Sequence, residues 1–332
     1  FSFSVLFRVF PWLLKLLPEI PMNITRQDNE IAISIDNLTK KFDDLVAVDN
    51  VSLQISNGES FALLGPDGTG KTTTMRLMCG ALLPNSGSIH IKDIDIIKHA
   101  EKSRDQIGYM PQRFSLYENL SVIQNIHFFS ELYSVEKTIR QKRIGEYLEF
   151  SRLTPYVNRL ARQLSGGMRQ KLALICSIIH NPPILLLDEP TTGVDPVSRR
   201  DFWKILHRLL ANGMTLVIST PYMDEAERCN RIGLMHNGKI LIVDTPGELK
   251  KKMTGKVIEI KCAEPHIASE IIKPAKSIIS TQTYSDKLRI LLKDGENEQE
   301  IVSLLKSKEI EVTDVREVLP NVEDIFISRL TG

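Results

Sequence analysis

From Ile31 onward, short apolar runs alternate with stretches of helical spacing. The runs fall at IAISIDNL, VSLQI, SFALLG, QIGYMPQ, ILLLDE and TLVIST, and each has the length and bounding of a strand. Strands alternating with helical segments predict a layered α/β domain. The fully apolar runs Ile184–Leu187 and Leu216–Ile218 read as central strands buried on both faces. In LMHNGKILIVD, Asn237-Gly238 between apolar runs predicts a tight hairpin. From about Arg113 to Leu164 helical spacing dominates, as in IQNIHFFSELY and IGEYLEF. That pattern predicts a helical subdomain (about 113–165) inserted between two parts of the sheet domain.

Past Leu249 the lysines of LKKKMTGK mark a domain boundary, read as a solvated linker rather than a nucleic-acid patch. Beyond it come strand KVIEIK, helix PHIASEII, strands SIISTQTYS and KLRILLKD, helix EQEIVSLLKSK and strand EIEVTDVREV. That order is β-α-β-β-α-β, the ferredoxin-like split βαβ pattern, and a last helical segment, NVEDIFISRL, follows. No Gly-rich loop or titratable cluster is expected in this module, which reads as a regulatory or dimerisation unit. The expected domains are thus an extension over 1–21, a sheet domain over 22–249 and a small α+β domain over 250–332.

Composition narrows the function. Lysine plus arginine number 42 against 41 acidic residues, so no global field points to nucleic acid. The four cysteines are scattered without a C-x-x-C pair, which predicts reduced cytosolic thiols rather than a disulfide framework or metal site. No apolar stretch reaches the length of a membrane-spanning helix. The nearest, FSFSVLFRVFPWLLKLLPEIP, is cut by Arg8, Pro11 and Lys15. It reads as sequence upstream of a start at Met22, as a membrane-surface segment, or as a disordered extension.

The chemistry begins at GPDGTGKTT, which follows strand SFALL and precedes the helical stretch TTTMRLMCGALL. This is the G-x-x-x-x-G-K-[ST] pattern in its strand–loop–helix setting. Glycines Gly65, Gly68 and Gly70 let successive backbone N–H groups turn inward as an anion nest, and the helix adds its positive end. Lys71 supplies a point charge to β- and γ-phosphates, and the Thr72 hydroxyl is a hard ligand for Mg²⁺. In ILLLDE, Asp188 leaves a buried apolar strand, where an unpaired carboxylate is costly and a cation would explain it. Glu189, next in sequence, is placed to polarise a water. Ser165, Gly166 and Gly167 open a further helix that can grip an anion.

Together these segments resemble the nucleotide-binding subunit of ABC transporters. GPDGTGKTT resembles the Walker A loop, so the resemblance extends nucleotide contacts to Pro66, Asp67, Thr69 and Thr73. ILLLDE resembles Walker B, LSGGM the signature motif, and Asp195 in TTGVDP the D-loop. Gln112 in IGYMPQ resembles the Q-loop glutamine, a further Mg²⁺ ligand and catalytic-site residue. Phe42 resembles the aromatic that stacks on adenine. The resemblance implies a P-loop NTPase fold and Mg²⁺-dependent ATP hydrolysis, with Glu189, Gln112 and Lys71 catalytic. It also implies a head-to-tail homo- or heterodimer in which Ser165 and Gly167 of one subunit complete the other's site. A separate transmembrane permease would be driven from the cytoplasmic face. LSGGMRQKL, YMDEAERC and the terminal VLPNVEDIFISRLTG resemble the multidrug-exporter type. A soluble ABC protein acting on ribosomes or DNA is the other class, but tandem motif sets and sustained heptads are missing.

One position departs from the family. The strand TLVIST is followed there by a histidine that contacts the γ-phosphate; here Pro221 stands in that place. Proline offers neither an imidazole nor an N–H. The expectation is either impaired hydrolysis, with a second ATPase subunit supplying turnover, or a site in which Glu189, Mg²⁺ and the signature loop suffice.

Overall fold

The computed structural model describes residues 30–113, 116–253 and 255–331; the extension over 1–21 lies outside them. The first half runs β1 (Ile31–Phe42), β2 (Leu45–Ser56), β3 (Ser60–Leu64), α1 (Lys71–Met78), β4 (Ser86–Ile91), β5 (Ile94–Asp95), α2 (Ala100–Arg104) and β6 (Ile107–Met110). Next come α3 (Val122–Leu132), α4 (Lys137–Ser151), α5 (Gly166–Ile178), β7 (Ile184–Asp188), α6 (Pro196–Ala211), β8 (Thr215–Thr220) and α7 (Met223–Ala226). Hairpin β9 (Arg231–His236) and β10 (Lys239–Asp244) leads to α8 (Pro246–Lys251). The last part holds β11 (Lys256–Cys262), α9 (Pro265–Ile272), β12 (Ile278–Thr283), β13 (Lys287–Leu292), α10 (Glu298–Ser307), β14 (Val312–Glu317) and α11 (Val322–Thr331).

The central sheet has the order β10-β9-β3-β8-β7-β6, parallel except for the β9–β10 hairpin. Every residue of β3, β7 and β8 is buried, which is why those segments read as apolar runs without alternation. Their side chains still divide by parity. Leu185, Leu187, Leu216 and Ile218 meet Phe202 and Trp203 of α6 on one face. Ile184, Leu186 and Val217 meet Met75 and Met78 of α1, and residues of a second, antiparallel sheet, on the other. That second sheet, β2-β1-β4-β5, was not anticipated as a separate layer.

The predicted helical insertion holds α3, α4 and two short 3₁₀ turns. Helix α3 begins with a capping box, Ser121 with Gln124. The insertion shares a core with α5 through Val122, Ile126, Leu148, Leu172 and Ile175. All four cysteines are free thiols. Among the described residues no helix is long and apolar enough to cross a membrane.

The third sheet, β12-β13-β11-β14, is antiparallel, with α9 and α10 packed on the face that carries Ile258, Ile260, Leu288 and Ile290. The opposite face corrects the expectation of no titratable cluster here. Glu259 accepts hydrogen bonds from Lys287 (2.9 Å), Arg289 (3.0 Å) and Arg316 (2.9 Å), and Arg289 also donates to Asp324 of α11 (2.8 Å). These residues lie on three strands and a helix far apart in sequence, so no local spacing announces them. Burial opposes the ionisation of Glu259, yet the bonds from Lys287 and Arg316 outweigh it and hold the carboxyl down at about 2.

Helix α11 packs beyond its own sheet as well as on it. Val322, Ile325 and Phe326 enter the core of the central sheet beside Ile232, Leu234 and Leu249. Burying each of these side chains contributes about 1.5 to 3 kcal/mol.

Candidate active site

A cavity of about 650 Å³ opens over the loop between β3 and α1. Asp67, Gly68, Gly70, Lys71, Thr72 and Thr73 form its floor, and Phe42, Leu45, Val46 and Ala47 form one flank. Gln112 and Glu189 close a second side, and the Asn237-Gly238 turn a third. Gly70 has φ of 102°, and a Cβ there would lie 2.1 Å from the Ala47 carbonyl, so only glycine fits this turn. The Thr69 hydroxyl donates to Pro66 O (2.9 Å) and closes the loop on itself.

The Lys71 ammonium is nearly sealed from solvent, at 3% exposure. It donates to the carbonyls of Gly65 and Pro66, both at 2.8 Å, with Glu189 Oε1 at 3.6 Å. Asp188 is buried at the end of β7. Its Oδ1 accepts from Thr72 (3.0 Å) and Ser219 (2.5 Å), whereas Oδ2, also buried, has no hydrogen-bond partner. A buried carboxylate oxygen left without a donor is costly unless a cation joins it.

Glu189 sits at φ 47°, a left-handed conformation that costs a non-glycine residue about 1 to 3 kcal/mol. Its N–H is held by Ser219 O and Oγ, both at 3.1 Å, so pairing with β8 enforces the strained turn. Gln112 Nε2 donates to Glu189 Oε2 at 2.8 Å, and the Thr192 hydroxyl at 3.3 Å. The carboxylate is thereby steered into the cavity beside Lys71.

The structure brings Phe42, the P-loop residues, Gln112, Asp188 and Glu189 together. Ser165, Gly166, Gly167 and Asp195 do not line this cavity. Ser165 caps α5 by accepting from Met168 N, and Asp195 caps α6 by accepting from Val197 N and Ser198 N. The bonds to Ser198 hold the Asp195 carboxyl below its usual range. A Cβ at Gly167 would lie 2.4 Å from Ser198 Oγ, so the start of α5 packs against the start of α6.

Pro221 follows β8 without lining the cavity, and no histidine lines it either. Beside it lies a group that sequence reading missed. Buried Glu225 takes hydrogen bonds from Thr191 and from Thr220 (2.8 Å), and Arg199 stacks over Tyr222 at 4.5 Å. A threonine ending a strand five residues before an acid in a helical turn was the available signal. Ser219 and Thr192 were missed as well; both look like ordinary strand and turn residues.

A parallel sheet with this loop, this lysine and an acidic pair at the end of β7, one strand beyond β8, defines a P-loop nucleotide-binding cassette. Residues 48–192 match the ABC transporter family, and residues 245–330 match the C-terminal domain of DrrA1-3-like ATP-binding proteins. The chain is 44% identical over 221 residues to the probable multidrug ABC transporter ATP-binding protein YbhF of Escherichia coli. That match takes in 67% of this chain and 38% of the relative, so the chain spans well under half of it. It is 32% identical over 327 residues to the Nod factor export ATP-binding protein I of Rhizobium etli, covering 94% of this chain and 98% of that one. Among solved structures, an ATP-binding subunit of an ABC transporter superposes with a TM-score of 0.62 at 26% identity, covering 67% of this chain and 92% of that one. The cassette MJ0796, solved as a dimer bound to ADP and Pi, gives 0.59 at 28% identity, covering 64% and 98%. The chain therefore belongs to the ATP-binding proteins of ABC transporters.

Proposed function

We propose that the chain is the ATP-hydrolysing subunit of an export system and drives a separate membrane permease. The observation that carries the chemistry is the set Lys71, Asp188 and Glu189 at one end of the sheet, each with bonding capacity directed into or beside one cavity. ATP would lie with its phosphates on the P-loop N–H groups and Lys71, and its base against Phe42. Lys71 would exchange its carbonyl contacts for phosphate oxygens. The spare oxygen of Asp188 fits a hard cation, and with Thr72 and Gln112 it would hold Mg²⁺, which supplies charge neutralisation to the phosphates.

Glu189 would act as general base. Gln112 and Thr192 occupy Oε2, so Oε1, with only the longer Lys71 contact, is the oxygen placed to take a proton from water. Ser165, Gly167 and Asp195, at the starts of α5 and α6, would serve the second nucleotide of a head-to-tail dimer. Tyr117, Phe128 and Leu132, exposed on and before α3, form an aromatic and apolar patch suited to a membrane permease. The relatives named for multidrug transport and for Nod factor export support export as the direction of transport.

Turnover of Mg-ATP by the full chain tests the assignment. Glu189→Gln is expected to lose about 100-fold or more in turnover while still binding ATP; unchanged turnover would remove Glu189 from the role. Co-purification with a multi-span membrane protein tests export, and sedimentation with ribosomes instead would overturn it. A second reading rests on Pro221: with no imidazole at the cavity, turnover by this subunit alone is slow, and a partner ATPase supplies the rest.

A further inference from the structure

One wall of the nucleotide cavity belongs to the turn of the β9–β10 hairpin, and α11 packs against the end of β9. Asn237 and Gly238 line the cavity. Gly238 donates its N–H to Thr69 O of the P-loop at 3.1 Å, and its carbonyl accepts from Asp49 N at 2.9 Å. Two residues before Asn237, Met235 meets the loop as well: a Cβ at Gly65 would lie 2.3 Å from Met235 O, and Met235 Sδ lies 3.9 Å from the Thr74 hydroxyl. The end of β9 is therefore in direct contact with both limbs of the phosphate loop.

On its far side this strand end meets α11. The Phe326 ring stands edge-on to the His236 ring, with centroids 6.2 Å apart and planes at 73°. Ile325 and Val322 continue the contact into the core shared with Ile232 and Leu234. A second anchor joins α11 to the segment after α7: Glu227 accepts from Val322 N at 3.4 Å and pairs with Lys250 at 3.0 Å. At its other side α11 is fixed to the accessory sheet by Asp324 and Arg289. One short helix thus touches the sheet domain beside the P-loop and the C-terminal sheet at once.

We infer that α11 is a positioning element for the nucleotide site, and that Phe326, acting through His236 and the Asn237-Gly238 turn, sets the affinity of the P-loop for nucleotide. The inference rests on the nucleotide reading of that cavity and extends it to a regulatory input. Whatever moves the C-terminal sheet, whether a second copy or another protein, would move Phe326 and change nucleotide binding, and nucleotide would in turn tighten α11. Phe326 touches no reacting group, so its effect falls on binding rather than on the chemical step.

The test titrates the full chain with a fluorescent ATP analogue in the presence of Mg²⁺ and measures turnover and melting temperature on the same samples. Phe326→Ala is expected to weaken nucleotide binding about fivefold or more, to raise KM in parallel and to leave kcat within about twofold. Phe326→Leu should restore most of the affinity, and adding His236→Ala to Phe326→Ala should cost little more, because the pair acts as a unit. Wild-type affinity in Phe326→Ala, with only a lowered melting temperature, would overturn the inference and leave α11 as packing alone. If Phe326→Ala does not fold, hydrogen exchange of the wild-type chain decides. Slower exchange over 322–331 on adding Mg-ATP supports the coupling, and unchanged exchange overturns it. A wild-type chain that binds no ATP would overturn the nucleotide reading itself, which the first titration detects before any variant is made.

Discussion

Two of the buried polar clusters, one around Glu259 and one around Asp188, are built on opposite plans. Around Glu259 every charge is answered: three cations share one carboxylate, and Arg289 also bonds Asp324 and the Leu319 carbonyl. Around Asp188 the account is left open. One carboxylate oxygen has no donor, Lys71 is bound to neutral carbonyls, and Glu189 is held in a strained backbone conformation. Both clusters lie at the edge of a well-packed core, so burial alone does not separate them. The difference is spare bonding capacity. A saturated cluster holds two parts of a fold together, and an unsaturated one is shaped for something that arrives.

If that contrast is right, breaking the closed cluster costs stability and little nucleotide binding. Glu259→Gln leaves Arg289 buried beside one remaining carboxylate and should destabilise the chain by about 3 kcal/mol, the low end of the range because Lys287 and Arg316 are partly solvated. The pH dependence has a fixed sign. The folded carboxyl lies at about 2 and an unfolded one near about 4.3. Its contribution is therefore complete above about 4.3 and is lost as pH falls from there towards 2. Urea unfolding at a series of pH values should show wild type and Glu259→Gln separated at pH 7 and converging below pH 4. With the folded carboxyl at about 2, roughly half of the gap should remain at pH 3; a gap undiminished there would deny the pairing its role.

A smaller effect is expected at Pro221. Pro221→His restores an imidazole at the end of β8 and should raise turnover about tenfold, less than the full value of a lost transition-state donor because Glu189 is retained. Steady-state ATPase assays at saturating nucleotide check this. No gain from Pro221→His, together with loss of activity in Glu189→Gln, would show that the site works without a histidine.

Much of this was legible in the chain. The P-loop announces itself because the chemistry of phosphate binding demands contiguous residues, and ILLLDE because a buried strand ends in acid. The Asn237-Gly238 hairpin and the β-α-β-β-α-β order of the C-terminal module were readable from local turn chemistry and periodicity. What was not readable depends on partners distant in sequence. The apolar stripe of NVEDIFISRL says that the helix is buried but not against what, and α11 lies across the sheet domain. Glu259, Arg289, Arg316 and Asp324 each look like a solvated charge until the strands pair. Ser219 is an unremarkable strand residue until β7 and β8 stand side by side and its hydroxyl meets Asp188.

The most direct measurement compares thermal melting with ATP, with and without Mg²⁺, in wild type, Asp188→Asn and Glu259→Gln. Ligand that binds only the folded state raises the melting temperature. The contrast between the clusters predicts a Mg²⁺-dependent rise with ATP in wild type and, from a lower baseline, in Glu259→Gln. In Asp188→Asn the Mg²⁺-dependent part should vanish. An undiminished Mg²⁺-dependent rise in Asp188→Asn would contradict the account, because the open oxygen at the end of β7 would then not be what the site is built around.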